Sequence, residues 1–383
     1  MSRAKPTLRL QDISFKQNPA TEEFFDSAKM YFTYSARGAL YHLARSLPDE
    51  KGNSILVPMF HCPTVVEPLV RAGKNIIFYK INLDLSINVQ DVIQKLTPDV
   101  AAVVVINYFG FPAELDAISK LKEQYGFYII EDCAHSFFNG ECLAGERGDV
   151  AIFSFSKLVP CYVGGAIRVN RQDFPFQPPQ SSIAAKDAII ILKRLFEQII
   201  ENNGSRFLKA AFHWLEGLRV SFKRTKGMPI AGTGSKVEVL YPFTEHLDLA
   251  KIPWFLKSIL QVADLTKIRS ARRAHFFILK DGLVDNSELK KIYKDLSASV
   301  VPWAYPILLN GRDKYERVFE GKGVPFFTFG ETLHPILYQL APQEIKEAEF
   351  LSQNLLMIAI DQNLTLSKVQ SSCSEINQVV QRG

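Results

Sequence analysis

The sequence predicts an α/β fold, a large domain with a mostly parallel central sheet followed by a smaller C-terminal α+β domain. Three observations predict it. Apolar runs of strand length alternate with amphipathic helical segments through the first half of the chain. Several of those runs close on a polar residue or a proline. The alternation then stops near residue 170, where a Pro-, Gln- and Ser-rich stretch, 171–185, reads as a surface linker.

The elements follow in order. "NSILVPMF" is a β-branched run, and "PTVVEPLVRAG" after it is helical. "KNIIFYKIN" reads as a strand and "NVQDVIQKL" as a helix. "VAAVVVINYF" is a strand, "AELDAISKLKEQYG" a helix with Gly126 placed to cap its C-terminus, and "FYIIED" a strand. "DVAIFSF" and "GGAIRVN" add two short strands around a loop. Residues 186–226 form a separate helical block, with Ile189, Leu192, Phe196 and Ile199, then Leu208, Ala211, Phe212 and Leu215, at helical spacing. Glycine and proline break the chain at 227–234. "IPWFLKSILQVADLTKIRSARRAHFFILKDGL" predicts one long bridging helix. Beyond it, "VVPWAYPILL", "RDKYERVFEGKGV" and a closing helix after Leu366 make the α+β unit. The division is therefore an N-terminal segment 1–20, a large domain 21–250 carrying the 186–226 insertion, and a bridging helix with a small domain, 251–383.

Composition narrows the function. With 383 residues, 47% hydrophobic and 22% charged, the chain is of ordinary globular make-up. Five cysteines without CxxC spacing predict reduced thiols in a cytoplasm, not a disulfide framework or a zinc site. No signal peptide and no apolar run long enough to cross a bilayer is evident. A net charge of +5 is mild, and "RSARR" (269–273) has no interleaved aromatics, so it reads as a solvated helix face and not a nucleic-acid site. The block 186–226 has nine basic and four acidic side chains. Packing on the protein's own core or a partner is the expected use of its apolar stripe. Peripheral contact with anionic membranes is the less favoured alternative. His213, His246, His275 and His334 are scattered without metal-ligand spacing.

Pro58, Asn107, Asp132 and Ser154 all fall at the carboxyl ends of predicted parallel strands, where ligands gather in such folds. "IIEDCAHSF" (129–137) places Asp132 behind an apolar run, where a carboxylate is costly without a cation. Lys157 follows in "FSFSKLVPCYVGG" (153–165). Read singly, Asp132 is also a helix N-cap after its strand, and Lys157 a solvated loop lysine. Together they suggest pyridoxal 5'-phosphate. That cofactor needs a carboxylate to keep its ring nitrogen protonated, a lysine to hold its aldehyde as a Schiff base, and amides and hydroxyls for its phosphate.

These segments resemble the DegT/StrS sugar aminotransferases, a family with the aspartate aminotransferase fold. The resemblance runs from about Thr33 to Asn170 and returns weakly from Ile252. "YSARGALYHLARSL" is similar to the phosphate loop at a helix start, which implies Ser35, Ala36 and Arg37 as phosphate ligands, with Arg37 adding charge. "ILVPMFHCPTVVEPLVRAG" is similar to the segment carrying the ring-stacking aromatic. That position aligns with Cys62, leaving Phe60, His61 and Cys62 as the stacking candidates. "VVVINYFGFPAELDAI" is similar to the third strand and its turn, with Asn107 at its end. "IIEDCAH" implies Asp132 as the partner of the ring nitrogen, with His135 in place of the glutamine that contacts the cofactor's phenol oxygen. "FSFSKLVPCYVGGAI" implies Ser154 as a phosphate ligand and Lys157 as the cofactor lysine. The Ser154–Lys157 interval is shorter than the family's, and the family's Gly-x-Asn-x-Arg-Met segment has no clear counterpart near 232–246. The resemblance implies an aminotransferase moving an amino group from glutamate to a keto-sugar nucleotide or related carbonyl compound, and a homodimer that completes the site. The alternatives are elimination or decarboxylation on the same cofactor, and a cofactor-free regulatory or scaffold relative.

Overall fold

The computed structural model describes residues 6–9, 30–139, 142–203 and 243–382. A short strand β1 (Met30–Thr33) leads into helix α1 (Ala36–Arg45). Then β2 (Ser54–Pro58), α2 (Pro63–Arg71), β3 (Asn75–Tyr79), α3 (Val89–Lys95), β4 (Val100–Ile106), α4 (Asp116–Tyr125) and β5 (Tyr128–Cys133) alternate as the hydrophobic pattern requires. Every residue of β2, β4 and β5 is buried, because helices cover both faces of the sheet. Gly126 ends α4 with φ 78°, and its N–H donates to the Lys122 carbonyl at 2.8 Å, a left-handed cap that favours glycine. A short hairpin, β6 (Phe138–Asn139) and β7 (Cys142–Leu143), precedes β8 (Val150–Ser154) and β9 (Gly165–Val169).

Seven strands form one sheet in the order β1-β9-β8-β5-β4-β2-β3. The five from β3 to β8 are mutually parallel, and β9 and β1 add an antiparallel edge. The parallel set brings the carboxyl ends of β2, β4, β5 and β8 to one edge. Pro58, Asn107, Asp132 and Ser154 stand along it, as the sequence predicts.

Helix α5 (Ala185–Asn203) is the described part of the predicted block; 204–226 lie outside the described residues. Of the expected stripe, Ile199 packs against the core, and the other three residues turn outward. Ile191 and Leu195 point inward, at 2% and 4% exposure, whereas Ile189, Leu192 and Phe196 are 64%, 46% and 58% exposed. The run Ile189–Leu192 is apolar at every position, so a 3.6-residue period fits two opposite faces, and packing selects between them.

After the short α6 (Glu245–Asp248), the predicted long helix is two: α7 (Trp254–Gln261) and α8 (Leu265–Gly282). The break comes where Asp264 turns its carboxylate back onto the Lys267 N–H at 2.9 Å and caps a new helix. A second, antiparallel sheet follows, in the order β10-β11-β13-β12, from β10 (Leu289–Lys291), β11 (Ala304–Leu309), β12 (Phe326–Phe327) and β13 (Leu355–Ala359). The closing helix α9 (Leu366–Arg382) packs on α8, and Phe276, Leu279, Tyr305, Phe319 and Ile376 fill the core beneath.

Candidate active site

The site lies where the carboxyl edge of the large sheet meets residues arriving from both sides of the second sheet. Alternation along β5 separates its two acids. Glu131 is wholly engaged in the fold, accepting from Asn107 Nδ2 at 2.9 Å and from the Gly148 N–H at 3.0 Å. Asp132 stands on the opposite face, 3% exposed, and among the described residues its carboxylate is given one hydrogen bond, from the Ala134 N–H at 2.9 Å. Burial pushes its carboxyl up to about 6, against the pull of the Lys157 charge. Among the described residues no helix follows for Asp132 to cap; one of its oxygens accepts within a turn instead.

Lys157 leaves β8 through one turn of 3-10 helix. Its Nζ lies 3.0 Å from His135 Nε2 and 4.1 Å from the centre of the Trp303 ring. His135 is buried among three rings, stacked on Trp303 at 4.1 Å, nearly parallel to Phe109 at 5.6 Å, and edge-on to Phe329 at 4.9 Å. Burial first, and the Lys157 charge second, push its ionisation well below the ordinary histidine range. Phe109 has φ 57°, a strained region for a bulky side chain, and in that conformation its N–H donates to His135 Nδ1 at 3.2 Å.

The lysine loop is tied to the second sheet by Arg272, 1% exposed. It donates to the carbonyls of Trp303 at 2.8 Å and Lys157 at 3.4 Å, and to Gln362 Oε1 at 3.2 Å. Gln362 in turn donates to the Leu158 carbonyl at 3.1 Å. Burial lowers the Arg272 ionisation to about 10. The solvated basic face expected at 269–273 is therefore corrected: Arg269, Arg272 and Arg273 all bind backbone carbonyls.

At the other end, Ser35 caps α1 by accepting from the Gly38 N–H at 3.0 Å. Its hydroxyl donates to Asp248 Oδ1 at 2.5 Å, and Arg37 pairs with the same carboxylate at 3.1 Å. Asp248 is fully buried and also accepts from the Thr244 N–H at 2.8 Å. Two glycines admit this crowding. A Cβ on Gly38 would lie 1.8 Å from the Asp248 carbonyl oxygen, and one on Gly165 would lie 2.4 Å from the Ser35 carbonyl carbon. Gly165 pairs with both Thr33 and Ser154, so Ser154, half-buried, stands one strand from the start of α1.

Two expected cofactor contacts are otherwise engaged. Asn107 is 2% exposed, and its amide bonds Glu131, Cys133 and the Ala113 N–H, buckling the end of β4 to β5. His61 is fully buried, its Nδ1 bonded to the Pro58 carbonyl at 2.9 Å and its Nε2 accepting from the His334 N–H at 3.2 Å. It stacks on Phe78, and burial lowers its ionisation to about 4. Of the stacking candidates, Phe60 packs into Tyr108 and Phe329, and Cys62 stands half-exposed at the start of α2, beside the Thr64 hydroxyl. Trp303, Phe329, Phe109, Arg272 and Asp248 were not legible as site residues. Only the glycine-flanked aromatics of "NYFGFP" hinted at one.

This donor set fits pyridoxal phosphate. A buried carboxylate without a cation faces a lysine, and a helix N-terminus with Ser35 and Arg37 already binds an anion, the Asp248 carboxylate. Among the described residues no cluster of His, Cys, Asp or Glu fits a metal ion, and no helix is long and apolar enough to cross a membrane.

Comparison with known proteins agrees with this geometry. Residues 20–174 match the DegT/DnrJ/EryC1/StrS aminotransferase family. Over 153 residues the chain is 31% identical to the GDP-perosamine synthase of Vibrio cholerae; the match spans 38% of this chain and 41% of that protein, less than half the length of either. Among solved structures it is similar to Helicobacter pylori PseC, an aminotransferase involved in the biosynthesis of pseudoaminic acid, with a TM-score of 0.65 at 15% identity over 97% of this chain and all of that one. It is also similar to DesI, solved in the presence of its TDP-sugar product, with a TM-score of 0.66 at 17% identity over 97% of this chain and 87% of that one. Residues 20–174 thus match the DegT/DnrJ/EryC1/StrS aminotransferase model, and the fold is similar to that of the two solved structures.

Proposed function

We propose that the chain is a pyridoxal phosphate-dependent aminotransferase that moves an amino group from glutamate to a keto-sugar nucleotide or a related carbonyl compound. The observation that carries it is Asp132, a buried carboxylate on the carboxyl edge of a parallel sheet with Lys157 nearby. The family match and the sugar-directed relatives support the substrate class. When bound, the cofactor supplies an electron sink for the carbon that loses a proton. Lys157 would hold its aldehyde and, once the donor's amine displaces it, would take and return that proton at Nζ. Asp132 would hold the proton on the ring nitrogen. Ser35, Arg37, Ser154 and the first amides of α1 would hold the phosphate. Trp303 and Phe329 set apolar rings 4.1 and 5.8 Å from Nζ, and fewer waters there would strengthen each of these contacts.

A large domain to about residue 250 and a smaller one after it, in a cytoplasmic homodimer, belong to the same proposal. The outward stripe of α5 offers a surface for the second copy. A cofactor-free relative is the second possibility, favoured by one observation: Asp248 already fills the anion site. The two are separated by mixing the purified protein, loaded with pyridoxal phosphate, with glutamate alone. Stoichiometric release of 2-oxoglutarate is the result expected, with turnover only on adding a keto-sugar nucleotide. No release from a chain that binds the cofactor would sink the aminotransferase.

A further inference from the structure

We propose that His135 holds Lys157 as a neutral amine in the cofactor-free protein, by donating its Nε2–H to the lone pair of Nζ. The proposal deepens the role given to Lys157 above, and it stands on the bookkeeping of one ring. The Phe109 N–H, which can only donate, is directed at His135 Nδ1 at 3.2 Å. Nδ1 therefore carries no proton. A neutral imidazole has one ring proton, so it sits on Nε2. The imidazolium, protonated on both nitrogens, is excluded by the same contact, and burial works against it too.

Nε2–H then faces Lys157 Nζ at 3.0 Å. An ammonium has three protons and no lone pair, so across this gap it would set one proton against another. A neutral amine accepts the bond. The Trp303 face, 4.1 Å from Nζ, receives an N–H of either form, so the distinction lies with His135. The ring is held by Trp303, stacked at 4.1 Å, with Phe109 nearly parallel beside it at 5.6 Å and Phe329 edge-on at 4.9 Å. The donor is fixed as well: the Phe109 carbonyl accepts from the Trp303 N–H at 2.7 Å, which holds the strained φ of 57°. Among the described residues, Asp132 and Arg272 stand near this pair, the latter on the Lys157 carbonyl.

The arrangement has a chemical use. Only an unprotonated amine attacks an aldehyde or takes a proton from carbon. An ordinary lysine is unprotonated in about one molecule in 10³ at neutral pH. A glutamine at 135 retains both functions, an oxygen to accept from Phe109 and an N–H to give to Nζ. A phenylalanine keeps the stack and loses both.

The test is competitive acylation of the full chain, freed of bound aldehyde, with trace acetic anhydride from pH 6 to 10, read by peptide mass spectrometry. Labelling of Lys157 relative to its own rate at pH 10 is expected to stay nearly flat, while surface lysines fall about tenfold per pH unit. His135→Phe should restore the ordinary fall at Lys157, and His135→Gln should keep the flat profile. A wild-type Lys157 that falls with the surface lysines overturns the proposal. If the reagent does not reach Lys157, nitrogen NMR of the ¹⁵N-histidine chain decides: a proton on Nε2 of His135 supports it, and a proton on Nδ1 overturns it. Neither readout requires the cofactor, so a cofactor linked to another lysine would leave this result standing.

Discussion

The two ends of the candidate site solve opposite electrostatic problems. At the ring end Asp132 is an anion buried without a cation beyond the nearby Lys157, and its carboxyl rises to about 6. At the phosphate end the anion is already in place: Asp248 takes up the Ser35 hydroxyl, the Arg37 guanidinium and a backbone N–H. One end gains an interaction when a cationic ring nitrogen arrives. The other must trade one anion for another. On the proposed reading, the difference would set cofactor affinity at the phosphate end and chemistry at the ring end.

Removing Lys157 should break the comparison outright. Lys157→Ala is expected to lose at least about 10³-fold in turnover, because both the covalent link and the proton carrier go with it. The fold should be retained, as judged by circular dichroism. Asp132→Asn comes next. Turnover should fall about 10²-fold if the charge stabilises the carbanion state by about 3 kcal/mol, while cofactor still binds.

The same substitution sharpens the electrostatic claim through stability. A folded-state value near 6, above the ordinary aspartate value, means that the folded protein binds this proton more tightly than the unfolded chain. The stability so gained is full below about pH 4 and is lost as pH rises through 6. Above that, Asp132→Asn should stabilise the cofactor-free chain by about 3 kcal/mol, measured by urea unfolding at pH 8. No gain at pH 8 would mean that the carboxylate is better paired than its one hydrogen bond indicates.

Asp248→Asn probes the other end. Freeing Arg37 and Ser35 from a charged competitor should tighten pyridoxal phosphate about tenfold, or 1.4 kcal/mol, by calorimetric titration. Weaker binding would show that Asp248 supports the cradle and does not compete for it. The smallest effect is expected on α5. Its described residues carry three basic (Lys186, Lys193, Arg194) and three acidic (Asp187, Glu197, Glu201) side chains, so anionic vesicles should not retain the protein even at low salt. Salt-sensitive co-sedimentation would point to a membrane face instead of a partner copy.

Much of the large sheet was legible because its strands are buried on both faces and read as unbroken apolar runs. The same continuity is why β5 could be placed and Asp132 singled out. The break at Asp264 was not legible, since the helical pattern continues across it and only the cap geometry ends the first helix. The stripe on α5 was legible as a stripe but not as to its side, because Ile189 to Leu192 fit either face. His61 and Asn107 have the right residue types at the right strand ends, but the fold itself consumes their hydrogen-bonding groups. Trp303, Phe329, Arg272 and Asp248 reach the site from more than 90 residues beyond Lys157 along the chain, and no local pattern records such contacts.

Lys157 as the cofactor lysine stands or falls on one mass spectrum. The purified chain is incubated with pyridoxal phosphate, reduced with borohydride and digested. A single phosphopyridoxyl group on the peptide containing Lys157, absent from Lys157→Ala, is the outcome predicted here. The same group on any other lysine, or on none, would contradict it.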